Sequence, residues 1–131
     1  MVLVIVCTVW LSSWEWQCCG DEFAIGDEVT WGLLPASPSF LDRLAVPLGR
    51  ETVSAITHDE THHGGAEFGP TQMLTVGRVQ EIKAAFWDSG PRSALEPGRY
   101  PIEGSGRMES RNAFRRFDDV DLEGLVVRLA V

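Results

Sequence analysis

The first eleven residues, Met-Val-Leu-Val-Ile-Val-Cys-Thr-Val-Trp-Leu, are apolar at both parities, with Thr8 the one polar side chain. Side chains alternate across a strand, so such a run is satisfied only where both faces are covered. Val2, Val4, Ile5, Val6 and Val9 are β-branched, which suits a strand better than a helix. Residues 2–11 therefore predict a central strand. The run also lacks the marks of a secretory leader. No positive charge precedes it, and Ser12-Ser-Trp-Glu-Trp-Gln17 follows in place of a small-x-small cleavage site. It is about half the length needed to cross a bilayer. The expectation is a cytoplasmic protein with no membrane contact.

The remainder is punctuated by Gly and Pro into short segments. Trp10, Trp14 and Trp16 share a parity and would share a face if the first strand ran on. Gly26-Asp27 marks a tight turn, after which Val29, Trp31 and Leu33 alternate inward. Ser37 is placed to cap a helix with Pro38 at its first position. Phe40, Leu41, Leu44 and Leu48 have helical spacing, and Pro47 and Gly49 close it, so a helix is expected at about 38–46. Residues 50–57 suit either a helix or a strand. His58 to Gly65 is polar and ends in glycine, and Gly69-Pro70 marks a loop. Met73 to Phe86 is the clearest internal strand, with a bend or bulge expected at Gly77. Residues 89–101 and 104–106 are turn-rich. Leu125 to Val131 is a last strand, expected beside the first. At 131 residues the chain predicts one domain over 1–131. The fold class expected is mainly β, a small barrel with one short helical insertion over about 38–63.

The order Phe23-x-x-Gly26-Asp27-x-Val29-x-Trp31, then Gly77-x-Val79-x-x-Ile82, then Gly124-Leu-Val-Val-Arg-Leu resembles SH3-like barrels of the KOW and Tudor kind. That resemblance covers about half the chain and implies a fold, with no activity attached. A second resemblance rests on Trp16-Gln-Cys-Cys-Gly20, Phe23-Ala-Ile-Gly-Asp-Glu-Val-Thr-Trp31, His62-His63-Gly64 and Gly104-Ser105-Gly106. Together these resemble a family of small uncharacterised actinobacterial proteins, a domain of unknown function. It implies a bacterial single-domain protein and carries no activity across.

Charge narrows the partners. The chain holds 11 basic and 19 acidic residues, a net charge of −8. Residues 1–42 contain Glu15, Asp21, Glu22, Asp27, Glu28 and Asp42 and no Lys or Arg. Arg107, Arg111, Arg115 and Arg116 form a local basic patch, diluted by Glu109, Asp118 and Asp119. Phosphate-backbone binding draws most of its affinity from a cationic footprint, which this chain lacks overall, so nucleic acid is not the expected partner.

Two constellations could carry function. Cys18, Cys19, His58, His62 and His63 are residue types that ligate zinc, the one cofactor this set could hold. Adjacent cysteines lack the gap that lets both sulfurs face one ion, and in a strand they would point to opposite faces. The bland alternative is a buried Cys, a half-exposed Cys and a solvated histidine loop, with a vicinal disulfide as a third reading. His58-Asp-Glu-Thr-His62 superficially has zincin spacing, but Asp59 stands where that motif needs its glutamate. Cys7, in the first strand, reads as a small buried hydrophobe, and three cysteines do not make a disulfide framework. The second constellation is aromatic. Trp14, Trp16 and Trp31, next to the acids at 15, 21 and 22, are candidate ligand-binding residues for a cationic partner, against the plainer reading that they fill the core. No complete catalytic set is present, so no catalytic residue is assigned. The leading expectation is a binding or interaction module with a Trp/Cys/His-rich acidic face, its partner a protein or a small molecule. The alternative is a small Cys/His metal-binding protein or enzyme.

Overall fold

From Val6 on, the apolar first run forms a strand, buried on both faces at Val9, Trp10 and Leu11 and exposed at Val6, while residues 1–4 lie outside those described. In the computed structural model, which describes residues 5–60 and 73–131, this strand is β1 (Val6–Ser12). The chain continues through α1 (Ser13–Cys19), β2 (Phe23–Ala24), β3 (Glu28–Pro35), α2 (Pro38–Leu48), α3 (Arg50–Val53) and β4 (His58–Glu60). Then come β5 (Met73–Phe86), β6 (Ser89–Gly90), β7 (Tyr100–Pro101), β8 (Arg107–Arg111), β9 (Ala113–Phe114) and β10 (Gly124–Ala130). The fold is mainly β.

Strands β10, β1, β4, β3 and β5 pair in that order, and β5 pairs back onto β10 to close a five-stranded barrel. Closure removes the exposed edges that an open sheet would leave. β1 runs antiparallel to β10 over its whole length, from Val6 opposite Ala130 to Ser12 opposite Gly124, as the sequence led us to expect. It runs parallel to β4. β8 extends the sheet along the second half of β5.

Inside the barrel lie Val9, Leu11, Leu33, Val79, Ile82, Ala84, Leu125, Val127 and Leu129. A barrel this small leaves room for side chains and nothing more. β5 reaches both sides of the closure because it is long and irregular. Arg128 faces Glu81 but Leu129 faces Val79, so Gln80 is an extra residue on β5. That bulge moves the inward parity from odd (Gly77, Val79) to even (Ile82, Ala84, Phe86). The Val79-x-x-Ile82 spacing is its imprint in the sequence. The irregularity thus falls three residues after Gly77. Gly77 instead lets strands approach closely, since a Cβ there would sit 3.2 Å from the Ala130 carbonyl oxygen.

Outside the barrel, α2 and α3 cover a second cluster built on Trp10, Leu44, Val53, Ile56 and Ala85. Trp10 stacks on Trp87 at 6.1 Å and meets Phe40 edge-on. This outer layer covers Trp10 on the outward face of β1, while Val6 on the same face is exposed. α2 starts as its sequence predicts, with the Ser37 hydroxyl accepting from the Phe40 N–H and Pro38 at the first position. It runs to Leu48, and Gly49 ends it at φ 89°.

One expected bound needs correcting. Of the insertion expected over 38–63, the helices span 38–53, residues 58–60 are a strand, and 61–63 lie outside the described residues. At Thr57 the chain rejoins the sheet through a bond from its N–H to the Thr8 carbonyl, and His58–Glu60 becomes the strand that fills the gap between β1 and β3. The first strand ends close to the expected bound, so the face that Trp10, Trp14 and Trp16 would share on a longer strand does not form. The strand stops at Ser12, and α1 follows. In a helix, residues two apart lie roughly 200° apart, so Trp14 and Trp16 face opposite ways. Trp14 is exposed and Trp16 is buried.

Gly124 opens β10 directly against the Trp10 ring, and a Cβ there would also sit 2.8 Å from the Leu11 carbonyl oxygen. Neither neighbour is a flexible side-chain tip. Gly124→Ala is expected to cost about 1–3 kcal/mol through overpacking. The urea midpoint of unfolding reads this, and an unchanged midpoint would contradict the packing described.

Candidate functional site

α1 follows β1 directly, so it starts at the barrel end where β1 and the parallel β4 both finish. Trp16 enters the interior from that end and is 1% exposed. Its indole Nε1 donates to Glu60 Oε2 at 2.9 Å, a buried bond from α1 to the last residue of β4. Around it stand Phe23, Trp31 and Phe114, with ring centroids at 5.5, 5.2 and 5.8 Å and edge-to-face geometry. Edge-to-face pairs at such spacing are the favoured aromatic arrangement. Gly20 packs against the Trp16 ring, and its N–H closes α1 on the Trp16 carbonyl.

Trp16, Phe23 and Trp31 form the floor of a groove of 640 Å³. Its walls are Asp21, Glu22, Asp27, Glu28 and Glu60, with Val29, Thr30, Gly32 and Leu74. Among the described lining residues there are five acids and no Lys, Arg or His. Two of the acids also shape the backbone. Asp27 Oδ2 accepts from the Ala24 N–H at 2.8 Å across the Gly26 turn, and Glu22 Oε2 accepts from the Arg116 N–H at 2.9 Å. Asp21 and Glu28 are exposed. Low-dielectric walls of one charge sign focus the field and raise the local concentration of opposite charge.

The residues singled out from sequence fall as follows. Trp16 and Trp31 line the groove together, but both are nearly buried, so they act as its rigid floor and not as an open aromatic cage. Trp14 is exposed on the other side of α1 and is not among the described lining residues. Cys18 and Cys19 are exposed and joined to each other as a vicinal disulfide, so thiolates for a metal exist only once that bond is reduced. His58 sits in β4, its Nδ1 2.7 Å from the Thr57 hydroxyl. His62 and His63 lie outside the described residues. Among the described residues, no three Cys, His, Asp or Glu side chains converge to hold a metal ion. Cys7 is a free thiol, partly buried against the barrel core. Sequence reasoning missed Glu60. Its signal was there in Asp59-Glu60, acids entering an apolar sheet, but no periodicity marked a three-residue strand.

Two of the four arginines in the patch, Arg107 and Arg111, are paired with acids. Arg111 makes two bonds to Asp119, at 2.9 and 3.2 Å, and a longer one to Glu109, while Arg107 pairs with Glu109 at 3.1 Å. Arg116 reaches the Cys18 carbonyl. Phe117, in the same loop, has φ 70° and is 74% exposed. A left-handed backbone at a bulky residue costs roughly 1–3 kcal/mol and persists only where surrounding bonds hold it.

Asp59 adjoins this site. Burial pushes its carboxyl above the ordinary 3.8, the nearby Glu15 charge adds to this, and His58 opposes it. The folded chain therefore holds this proton to higher pH than the unfolded chain does. Stability from this group is present below the unfolded value and falls as pH rises through the folded one. Asp59→Asn removes that loss, so its urea midpoint should decline less than wild type on going from about pH 4 to pH 7. An identical slope would contradict the assignment. For the floor, Trp16→Phe keeps most of the ring but leaves the Glu60 carboxylate without the indole donor. It should cost about 1–3 kcal/mol, again read from the urea midpoint.

Comparison with curated proteins and with solved structures gave no match to either. No helix among the described residues is long and apolar enough to cross a membrane. A family model does match, over residues 5–131, so it takes in the barrel, the aromatic floor and the acidic walls alike. By that match the chain belongs to a family of unknown function, DUF6578.

Proposed function

We propose that this protein is a non-catalytic binding module that takes a cationic segment of a partner protein, one bearing Lys or Arg, in the acidic groove. The observation that carries this reading is the lining itself: five acids with no described basic residue, over a floor of interlocked buried rings. A rigid floor lets the walls attract without the entropy of ordering them on binding. The net charge of −8 favours the same partners at long range and disfavours anionic ones. We further read the barrel as SH3-like, on the Gly26-Asp27 turn that opens β3 and the irregular β5, and the protein as cytoplasmic.

A peptide of about ten residues carrying several Lys and Arg, titrated by calorimetry, tests the proposal. Binding is expected to weaken as salt is raised, because exposed charges are screened within roughly 10 Å at 0.1 M. The double variant Asp21→Asn/Glu28→Gln should bind about tenfold more weakly or worse, with unfolding unchanged. No binding, or equal binding of an acidic peptide of the same length, would overturn the reading.

A further inference from the structure

The vicinal disulfide lies among the groups that hold the strained Phe117 loop, and this juxtaposition has a consequence. The Gln17 side chain clamps the loop twice, its Oε1 accepting from the Phe117 N–H at 2.8 Å and its Nε2 donating to the Asp119 carbonyl at 3.2 Å. The Cys18 carbonyl accepts from Arg116 Nη1 at 3.4 Å, and Glu22 accepts from the Arg116 N–H. These anchors come from residues 17–22, the segment that carries Cys18 and Cys19, while Arg111 on β8 holds the loop's other side at Asp119. The segment's first three residues end a helix of seven residues, too short to persist on its own hydrogen bonds. A bond between adjacent side chains closes a small ring around the Cys18–Cys19 peptide and removes its rotations. Both sulfurs belong to exposed residues, so a thiol can reach them.

We propose that Cys18–Cys19 is a thiol–disulfide exchange site whose redox state sets the order of the Arg115–Asp121 loop. A protein or small-molecule dithiol is the reductant. One of its thiolates attacks a sulfur of the pair and forms a mixed disulfide, and its second thiol then displaces the remaining cysteine sulfur. Two electrons pass to Cys18 and Cys19, which take up two protons and end as thiols. The reductant ends as its own disulfide. With the ring open, the last turn of α1 loosens, and Gln17 and the Cys18 carbonyl release the loop. Phe117 then leaves its left-handed conformation. The inference stands apart from the groove reading, since it needs no ligand.

Hydrogen exchange with mass detection, on the whole protein, tests it. The protein is compared after treatment with oxidised glutathione and after treatment with dithiothreitol. The peptic fragment containing Cys18 and Cys19 should be about 2 Da lighter in the oxidised sample. Amides in the fragment spanning Arg116 and Phe117 should exchange about tenfold more slowly there. The Cys18→Ser/Cys19→Ser variant should exchange like the reduced protein and ignore dithiothreitol. Equal exchange in both redox states, an oxidised sample with both thiols still free, or a double variant that still responds to dithiothreitol would each overturn the proposal.

Discussion

A single buried hydrogen bond, from the Trp16 indole to the Glu60 carboxylate, joins the three parts on which the candidate site depends. Trp16 closes the barrel interior at one end. Glu60 ends the shortest strand of the barrel, the one that completes the ring between β1 and β3. The indole is held in place by Phe23, Trp31 and Phe114, which between them tie β2, β3 and β9 to the plug. Burial makes such a bond expensive to leave half-made. The acidic groove is what remains when the chain turns inward at Ser12 and brings the following acids out over the plug.

The barrel uses its two apolar layers differently. The inner one is filled by aliphatic side chains whose alternation resumes in the opposite phase after the bulge at Gln80. The outer one exists only where α2 and α3 lie, and it accounts for Trp10, Trp87 and Ala85 facing away from the barrel interior. The remaining outer surface carries charge. Arg50, Arg92, Arg107 and Arg111 pair with acids there, whereas the groove lining holds five acids and no described Lys, Arg or His, with Arg78 across from Glu28 on β5. This asymmetry, more than the total of −8, is what makes a cationic partner the natural complement.

Much of this fold was legible from local chemistry. β1 showed itself by being apolar at both parities, α2 by Ser37-Pro38 and its helical spacing, and β10 by Leu125–Val131. β8 was hidden because Arg-Met-Glu-Ser-Arg is a charged edge strand with one packed residue, Met108. α1 was hidden because Trp14 and Trp16 alternate as in a strand. What decides for a helix there is tertiary, since the interior needs one of the two rings and Ser13 is held by the Glu123 carbonyl. The acids at 21, 22, 27 and 28 could be read as a face from sequence, but their meeting with Glu60 could not. That contact spans more than thirty residues of chain and follows only from where β4 inserts.

The central claim is that Trp16 plugs the barrel and floors the groove. Proton NMR of the protein labelled at its tryptophans tests this most directly. The account predicts nuclear Overhauser contacts from the Trp16 ring to Phe23, Trp31 and Phe114, and an indole proton protected from solvent exchange. A Trp16 indole that exchanges freely with water and lacks those contacts would contradict it.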